Sequence, residues 1–268
     1  DIERLLSKRV LEIENSGIRR AWDLAQACDD PINLSIGQPD FLVPDAIKQA
    51  AIDAILADKN GYTHTAGDAD LLASIHARLH SQFNWEFDEG SHHSAMVTTG
   101  TAGALTLACL AILEQGDEII VPDPYFVIYP TLARIADGKA VLCDTYPDFR
   151  MTAQRIAPCI TERTKAVLLN SPANPTGVVL TAQEVADIAV LCRDRGILLI
   201  TDEIYDAFVF PPTQHASPAS TSDDVLVIRG YGKTYGCTGW RMGYAAGPKP
   251  LIDSMLKLKQ QTFVCAPS

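Results

Sequence analysis

The stretch GYGKTYGCTGWRMGY at 230–244 sets Lys233 among glycines just after an apolar run, with Arg241 eight residues further on. Small neighbours leave the lysine amine sterically open, so an aldehyde can approach it. A guanidinium returning to the same place can hold a phosphate dianion through two parallel hydrogen bonds. A nearby cation also favours the neutral amine, which is the nucleophile and later the proton carrier. The same residues would equally make a glycine-rich turn with a solvated Lys and Arg. Upstream, TDEIYDAF at 201–208 ends an apolar run in Asp202 and places Tyr205 three residues later, so both can face one ligand. A carboxylate buried there needs a cation, and a protonated ring nitrogen would serve. Tyr205 could hydrogen-bond an oxygen on the same ring. The alternative for Asp202 is a strand-end residue that caps a helix.

Three further segments offer binding groups. SPANPTG at 171–177 is a turn in which Asn174 presents an amide donor to a ring oxygen or a carboxylate, or simply closes an Asx-turn. TTGTAGAL at 98–105 runs from a strand through Gly100 into a helix start. There the backbone N–H groups of Thr101 and Ala102 and the Thr101 hydroxyl make an anion cradle, or a plain N-cap. VPDPYFVIYP at 121–130 puts Phe126 where a flat ring could stack on a flat ligand, while Tyr125 and Tyr129 read as core. His92 and His93 have no acidic or cysteine companion at ligand spacing, so no metal role is assigned to them.

To bring these groups together the chain needs strands that end side by side. From residue 95 onward short apolar runs alternate with longer periodic ones. Strands are expected at 95–100, 118–123, 140–144, 166–170, 197–202, 225–230 and 242–247. Helices are expected at 104–116, near 127–136 and at 182–195. The last opens on a Thr181–Glu184 capping box and closes at Gly196. Strands apolar along their whole length, separated by helices, indicate an α/β fold: a mostly parallel sheet with helices on both faces. Ligands in such sheets bind beyond the carboxyl ends of the strands, where Thr101, Asn174, Asp202, Tyr205 and Lys233 all fall. The first part reads differently. An amphipathic helix over 2–28, broken at Ser16-Gly17, leads to an extended PINLSIGQPDF, then helices at 44–58 and 71–83 around the loop GYTHTAGDAD.

The 268 residues are 47% hydrophobic, enough for a large core. A net charge of −11 argues against nucleic acid or an acidic membrane as partner. No run approaches the roughly 20 apolar residues of a membrane helix, and the charged start lacks the order of a signal peptide. Seven scattered cysteines without a CxxC pair, with Cys109 and Cys192 inside apolar helical patterns, suggest reduced, buried thiols in a cytoplasmic protein.

Taken together these residues resemble the class I and II aminotransferases, the fold type I group of pyridoxal-phosphate enzymes. The resemblance runs from GQPDF at 37–41 through Tyr62, AG at 66–67, TGTAGAL, GDEIIVPDPYF, NPTG, DEIY and the lysine–arginine segment ending in GWR. It implies the fold type I large domain over 37–268, with 1–36 an N-terminal arm belonging to a small domain. It also implies pyridoxal 5'-phosphate as cofactor, with Lys233 forming the Schiff base. Asp202 would pair with the pyridine nitrogen, and Asn174 and Tyr205 would hold the ring oxygen. Gly100, Thr101, Ala102 and Arg241 would bind the phosphate, and Phe126 would stack on the ring. Tyr62 would reach the phosphate of a neighbouring subunit, so a homodimer with shared active sites is implied. Gly37, through its N–H, and Asn174 would hold the substrate carboxylate. The sequence departs from the family at Gly230 and Gly232, where serines are usual, and at Leu72, where an arginine is usual. It also stops before the arginine that grips the α-carboxylate, so the expectation is an incomplete chain or an impaired transaminase.

The expected activity is transfer of an amino group between an amino acid and a 2-oxo acid. A β-lyase on the same scaffold and a non-catalytic cofactor-binding module are the alternatives. For the donor, a neutral or aromatic amino acid is expected over aspartate. The positions where dicarboxylate specialists carry a cation hold Gln261, within a residue or two, and Ala102, with Lys257 or Lys259 as the other possible sources of charge.

Overall fold

The computed structural model describes residues 2–13, 17–30, 32 and 37–268, without the side chains of Ile18, Arg19 and Trp22. The strands are β1 (His93–Thr99), β2 (Glu118–Asp123), β3 (Lys139–Asp144), β4 (Thr164–Asn170), β5 (Leu198–Asp202), β6 (Val225–Gly230) and β7 (Met242–Pro248). The helices are α1 (Lys8–Leu11), α2 (Gly17–Ala25), α3 (Asp45–Leu56), α4 (Ala69–Phe83), α5 (Gly100–Ile112), α6 (Ile128–Ile135), α7 (Ala153–Ile156), α8 (Ala182–Arg195), α9 (Tyr231–Thr234) and α10 (Lys249–Thr262).

The seven strands form one sheet in the order β1-β7-β6-β5-β4-β2-β3. The run from β6 through β5, β4 and β2 to β3 is parallel, whereas β7 runs antiparallel to both β6 and β1. Alternate residues of each central strand enter opposite layers. Val167 and Leu169 pack with α4 and α8 residues such as Leu79 and Ile188, while Ala166 and Leu168 pack with Leu105 of α5, Leu132 of α6 and Met255 of α10. Helices on both faces leave no wet side, which is why these strands read as continuous apolar runs. Helix α8 matches its sequence signature at both ends. Thr181 and Glu184 exchange reciprocal hydrogen bonds, and Gly196 adopts the left-handed conformation with φ 64°.

Three expectations need correction. The helix expected over 2–28 is, among the described residues, a 3-10 turn at Glu3–Leu5 followed by the separate α1 and α2, with Leu6 extended between. Ile2, Leu5, Val10 and Leu11 stay exposed, and α1 meets the end of α6 through polar contacts, Arg9 to the Ile135 carbonyl and Asp137, rather than through a buried apolar face that would sustain a longer helix. The break at Ser16 and most of the extended reading over 31–36 lie outside the described residues. Helix α5 starts four residues earlier than expected, directly after β1, because Gly100 takes φ 65° and turns the chain into the helix. It also ends at Ile112, with Leu113 extended, rather than at Gly116. Finally, α10 was not anticipated, although Pro250 in its first turn and apolar Leu251, Ile252, Met255 and Leu258 at helical spacing carry the signal.

The end of β1 is fixed from two sides. Lys259 of α10, only 1% exposed, donates to the carbonyls of Thr65 at 2.5 Å and Val97 at 2.7 Å. Burial pulls its amine down to about 8. Opposite, the Val97 N–H donates to the Ala66 carbonyl at 2.7 Å. Gly67 follows with φ 134°, and a β-carbon there would meet the Val97 Cγ2 methyl and lie 2.8 Å from its Cβ. Gly67→Ala is therefore expected to destabilise the chain by about 2–4 kcal/mol through overpacking and backbone strain. Urea unfolding of the two proteins measures this; a change below 0.5 kcal/mol, the ordinary level for a surface substitution, would contradict it.

Candidate active site

The carboxyl ends of β4, β5 and β6, with the turn from β1 into α5, gather the functional side chains. Asp202, the last residue of β5, is 2% exposed. It accepts hydrogen bonds from the Tyr129 hydroxyl at 2.9 Å and the Ile204 N–H at 3.2 Å. No cationic side chain among the described residues pairs with it, and burial raises its carboxyl from 3.8 to about 6, against the opposing pull of the Tyr129 bond. The neighbouring carboxylate, Glu203, is fully buried and resolved in the opposite way. The Arg229 guanidinium meets it from Nε at 2.9 Å and from Nη2 at 2.8 Å, with His215 Nε2 at 3.2 Å. Burial alone would raise Glu203, but Arg229 and then His215 outweigh it and hold the group at about 2. Arg229 continues to Gln82 of α4 at 2.6 Å, and Arg78 of the same helix reaches Asp206 at 2.7 Å. This ion-pair network clamps the 202–206 turn against β6 and α4.

Asn174 and Tyr205 meet beside Asp202, with Asn174 Nδ2 3.5 Å from the Tyr205 hydroxyl. Burial raises the Tyr205 hydroxyl, and the Asp202 charge adds to this. The turn that carries Asn174 is closed by Asn170, whose Oδ1 accepts the Asn174 N–H at 2.7 Å. The Asn170 amide in turn donates to the Asp202 carbonyl at 2.8 Å. A recess of about 520 Å³ lined by Pro172, Asn174, Val179, Tyr205, Phe208 and Phe210 opens on this side.

Lys233 projects from α9 with its amine 5.8 Å from the centre of the Tyr205 ring. Burial lowers its basicity, and the charge of Arg241 lowers it further. Its Nζ donates to the Gly37 carbonyl, so Gly37 is beside the lysine. Arg241, at φ 55°, donates to the Thr238 carbonyl at 3.1 Å and leans over the start of α5. A β-carbon on Gly100 would lie 2.9 Å from its Nη2. The Thr99 side chain does not cap α5, and the Thr98 hydroxyl is turned onto the Gly100 carbonyl at 2.9 Å. The first-turn N–H groups of Gly100, Thr101 and Ala102 thus sit under a guanidinium without a side-chain cap, an arrangement suited to an anion.

Phe126 meets Tyr129 edge-to-face, with centroids 5.7 Å apart, on the same side as Asp202. Tyr62 is 88% exposed and touches none of these groups. The chain therefore brings together ten of the eleven anticipated residues and leaves Tyr62 apart. The sequence analysis missed Tyr129, read only as core, together with Asn170 and the Glu203–Arg229–Gln82 network. The spacing Phe126-x-x-Tyr129, three positions apart at a strand-to-helix junction, was the available signal for Tyr129. His93, given no metal role, stacks on Trp85 at 3.9 Å. Cys109 and Cys192 are buried free thiols, both pushed up to about 12 by burial.

Comparison with known proteins gives this geometry a lineage. The family model described as aminotransferase class I and II matches residues 29–268. A probable aspartate aminotransferase of Methanocaldococcus jannaschii is 34% identical, covering 98% of this chain and 70% of that protein. A probable N-acetyl-LL-diaminopimelate aminotransferase of Bacillus subtilis is 35% identical, covering 100% and 68%. Among solved structures, aspartate aminotransferase from Thermus thermophilus with maleate superposes with a TM-score of 0.91 at 33% identity, over 98% of this chain and 69% of that one. A site at the carboxyl ends of a mostly parallel sheet and a family match over nearly the whole chain agree, and the chain belongs to the class I and II aminotransferases.

Proposed function

We propose that the protein is a pyridoxal-phosphate-dependent aminotransferase that moves an amino group between an amino acid and a 2-oxo acid, with Lys233 as the residue that carries the cofactor. The observation that carries this reading is the pair of adjacent buried carboxylates. Among the described residues Glu203 has a cation and Asp202 has none, which leaves Asp202 for a cation that arrives with a ligand. Pyridoxal phosphate supplies that cation in its protonated ring nitrogen, and its ring acts as an electron sink when an amino acid loses its α-proton. Asp202 holds the nitrogen in its protonated form, and Tyr129 fixes the carboxylate toward it. Asn174 and Tyr205 hold the ring oxygen, and Phe126 covers a ring face. Gly100, Thr101, Ala102 and Arg241 bind the phosphate. Lys233, whose amine burial and Arg241 make less basic than an ordinary lysine's, would hold the cofactor covalently and is the group placed to carry the α-proton. Gly37 and Asn174 receive the substrate carboxylate.

Residues 37–268 form the cofactor-binding large domain in this reading, and 1–36 an arm of the small domain. Tyr62 serves the site of a second copy, which its 88% exposure and its distance from the gathered residues support. The assembly is then a homodimer with shared sites. Among the described residues no helix is long and apolar enough to cross a membrane; the reading places the enzyme in the cytoplasm, with no nucleic-acid partner.

Asp202 provides the first test. Its folded value lies above 3.8, so its contribution to stability is present below that pH and is lost as the pH rises through about 6. Whatever constant offset Asp202→Asn introduces, the stability difference between variant and cofactor-free wild type should change by about 2 kcal/mol from pH 4 to pH 8, in favour of the variant. Saturation with pyridoxal phosphate should abolish that change. Denaturant titrations across pH read it, and a pH-independent difference in the free protein would remove the unpaired carboxylate from the argument. Lys233→Ala should lose the visible absorbance and the borohydride-reducible link of the loaded protein; a reducible link surviving in the variant would assign the role to another lysine.

For the donor, a neutral or aromatic amino acid is expected. Ala102 and Gln261 bring no charge, and the Lys259 amine is engaged by two carbonyls. Comparison of kcat/KM for aspartate, alanine and phenylalanine with one acceptor decides it, and a preference for aspartate would reverse this expectation.

A further inference from the structure

Gly230, one of the two positions where the family usually has a serine, ends β6 against the anion cradle. A β-carbon at Gly230 would lie 3.1 Å from Thr101 Cγ2 and 2.7 Å from Ile204 Cδ1. The space is thus taken by a methyl from the adjacent strand end. The stem of Ile204 is held in place. Its N–H is bound to Asp202 at 3.2 Å, Glu203 and Tyr205 on either side are tied to Arg229 and Asn174, and a β-branched side chain is stiff at its first torsion, which leaves the δ-methyl only rotation about the second.

We propose that Ile204 is a positioning residue of the anion subsite: its δ-methyl occupies the place of a side chain at 230 and excludes a hydroxyl from that wall. This rests on the reading above, in which Thr101 and Arg241 bind the phosphate. The cradle then holds a phosphate monoester from the α5 turn and Arg241, with an apolar surface on the β6 side. Gly230 and Ile204 form one unit, so a hydroxyl becomes useful at 230 only when the δ-methyl is removed. Ile204→Val removes that single carbon and retains the β-branch.

The test is a cycle of wild type, Gly230→Ser, Ile204→Val and the double variant, all freed of cofactor. Dissociation constants are measured for pyridoxal phosphate by absorbance and for inorganic phosphate by calorimetry. Ile204→Val is expected to stay within about threefold of wild type. Gly230→Ser should weaken both ligands about threefold or more, because the crowded β-carbon displaces Thr101 or Ile204. The double variant should bind both about tenfold more tightly than wild type, the effect of one added hydrogen bond to a charged group. Thermal melts of all four proteins confirm that each is folded. If Gly230→Ser alone tightens binding as much as the double variant does, or if the two effects simply add, Ile204 does not control the position. If wild type binds neither ligand, the functional reading falls, and this inference with it.

Discussion

A carboxylate held out of water without its own cation is the constraint around which this molecule is arranged. Transferring an ionised group into a low-dielectric interior is costly, and the chain meets that cost in two ways at consecutive residues. Glu203 is neutralised internally by Arg229, and the pair extends to α4 through Gln82. Asp202 is given a hydroxyl and a backbone N–H, which orient it but do not cancel its charge. The first solution produces rigidity, and the second leaves a carboxylate with no cationic side chain beside it among the described residues, raised to about 6 by burial. Their adjacency matters, because the ion pair fixes the backbone from which the unpaired carboxylate projects.

The sheet turns this local contrast into a site. Because β4, β5 and β6 run parallel, their carboxyl ends lie side by side, and Asn174, Asp202 with Tyr205, and Lys233 follow three adjacent strands. The antiparallel β7 then returns Arg241 to the same edge, next to the start of α5 on β1. Lys233 and Arg241 meet at this edge, where burial lowers the basicity of the lysine amine and the Arg241 charge lowers it further.

Much of this was legible in the amino-acid order, for local reasons. The β2 run EIIVPD and the ends of α8 were readable because apolar continuity and capping chemistry are properties of neighbouring residues. The residues after strand ends were readable because parallel sheets place ligands there. What could not be read depends on partners far along the chain. Nothing near Arg229 marks it as the counter-ion of Glu203 rather than as a surface cation, and nothing marks Gln82 as its third contact. Tyr129 looked like core because it is core; that its hydroxyl ends on Asp202 is a matter of layer geometry. The N-terminal helix failed for the opposite reason. Its periodicity was real, but helical pattern yields a continuous helix only where a surface covers the apolar face.

The position of β1 at the sheet edge has a consequence for how the molecule comes into being. Among the described residues it pairs with β7 alone, about 150 residues later in the chain, whereas β2, β3, β4 and β5 pair with strands much nearer in sequence. At ribosomal rates of about 5–20 residues per second, β1 emerges roughly ten seconds or more before the strand it pairs with. Until then its apolar residues Met96 and Val97 lack their β7 partners Ala245 and Tyr244, and α5 packs only on the part of the sheet from β6 to β2. The loop closed by the β1–β7 pairing is the most distant in the sheet and therefore carries the largest closure entropy. The turn from Gly100 to Ala102 is thus set in place by a late event in synthesis. A nascent chain can pair β2 through β6 while the turn at Gly100 still lacks the β7 backbone at Gly243 that lies against it.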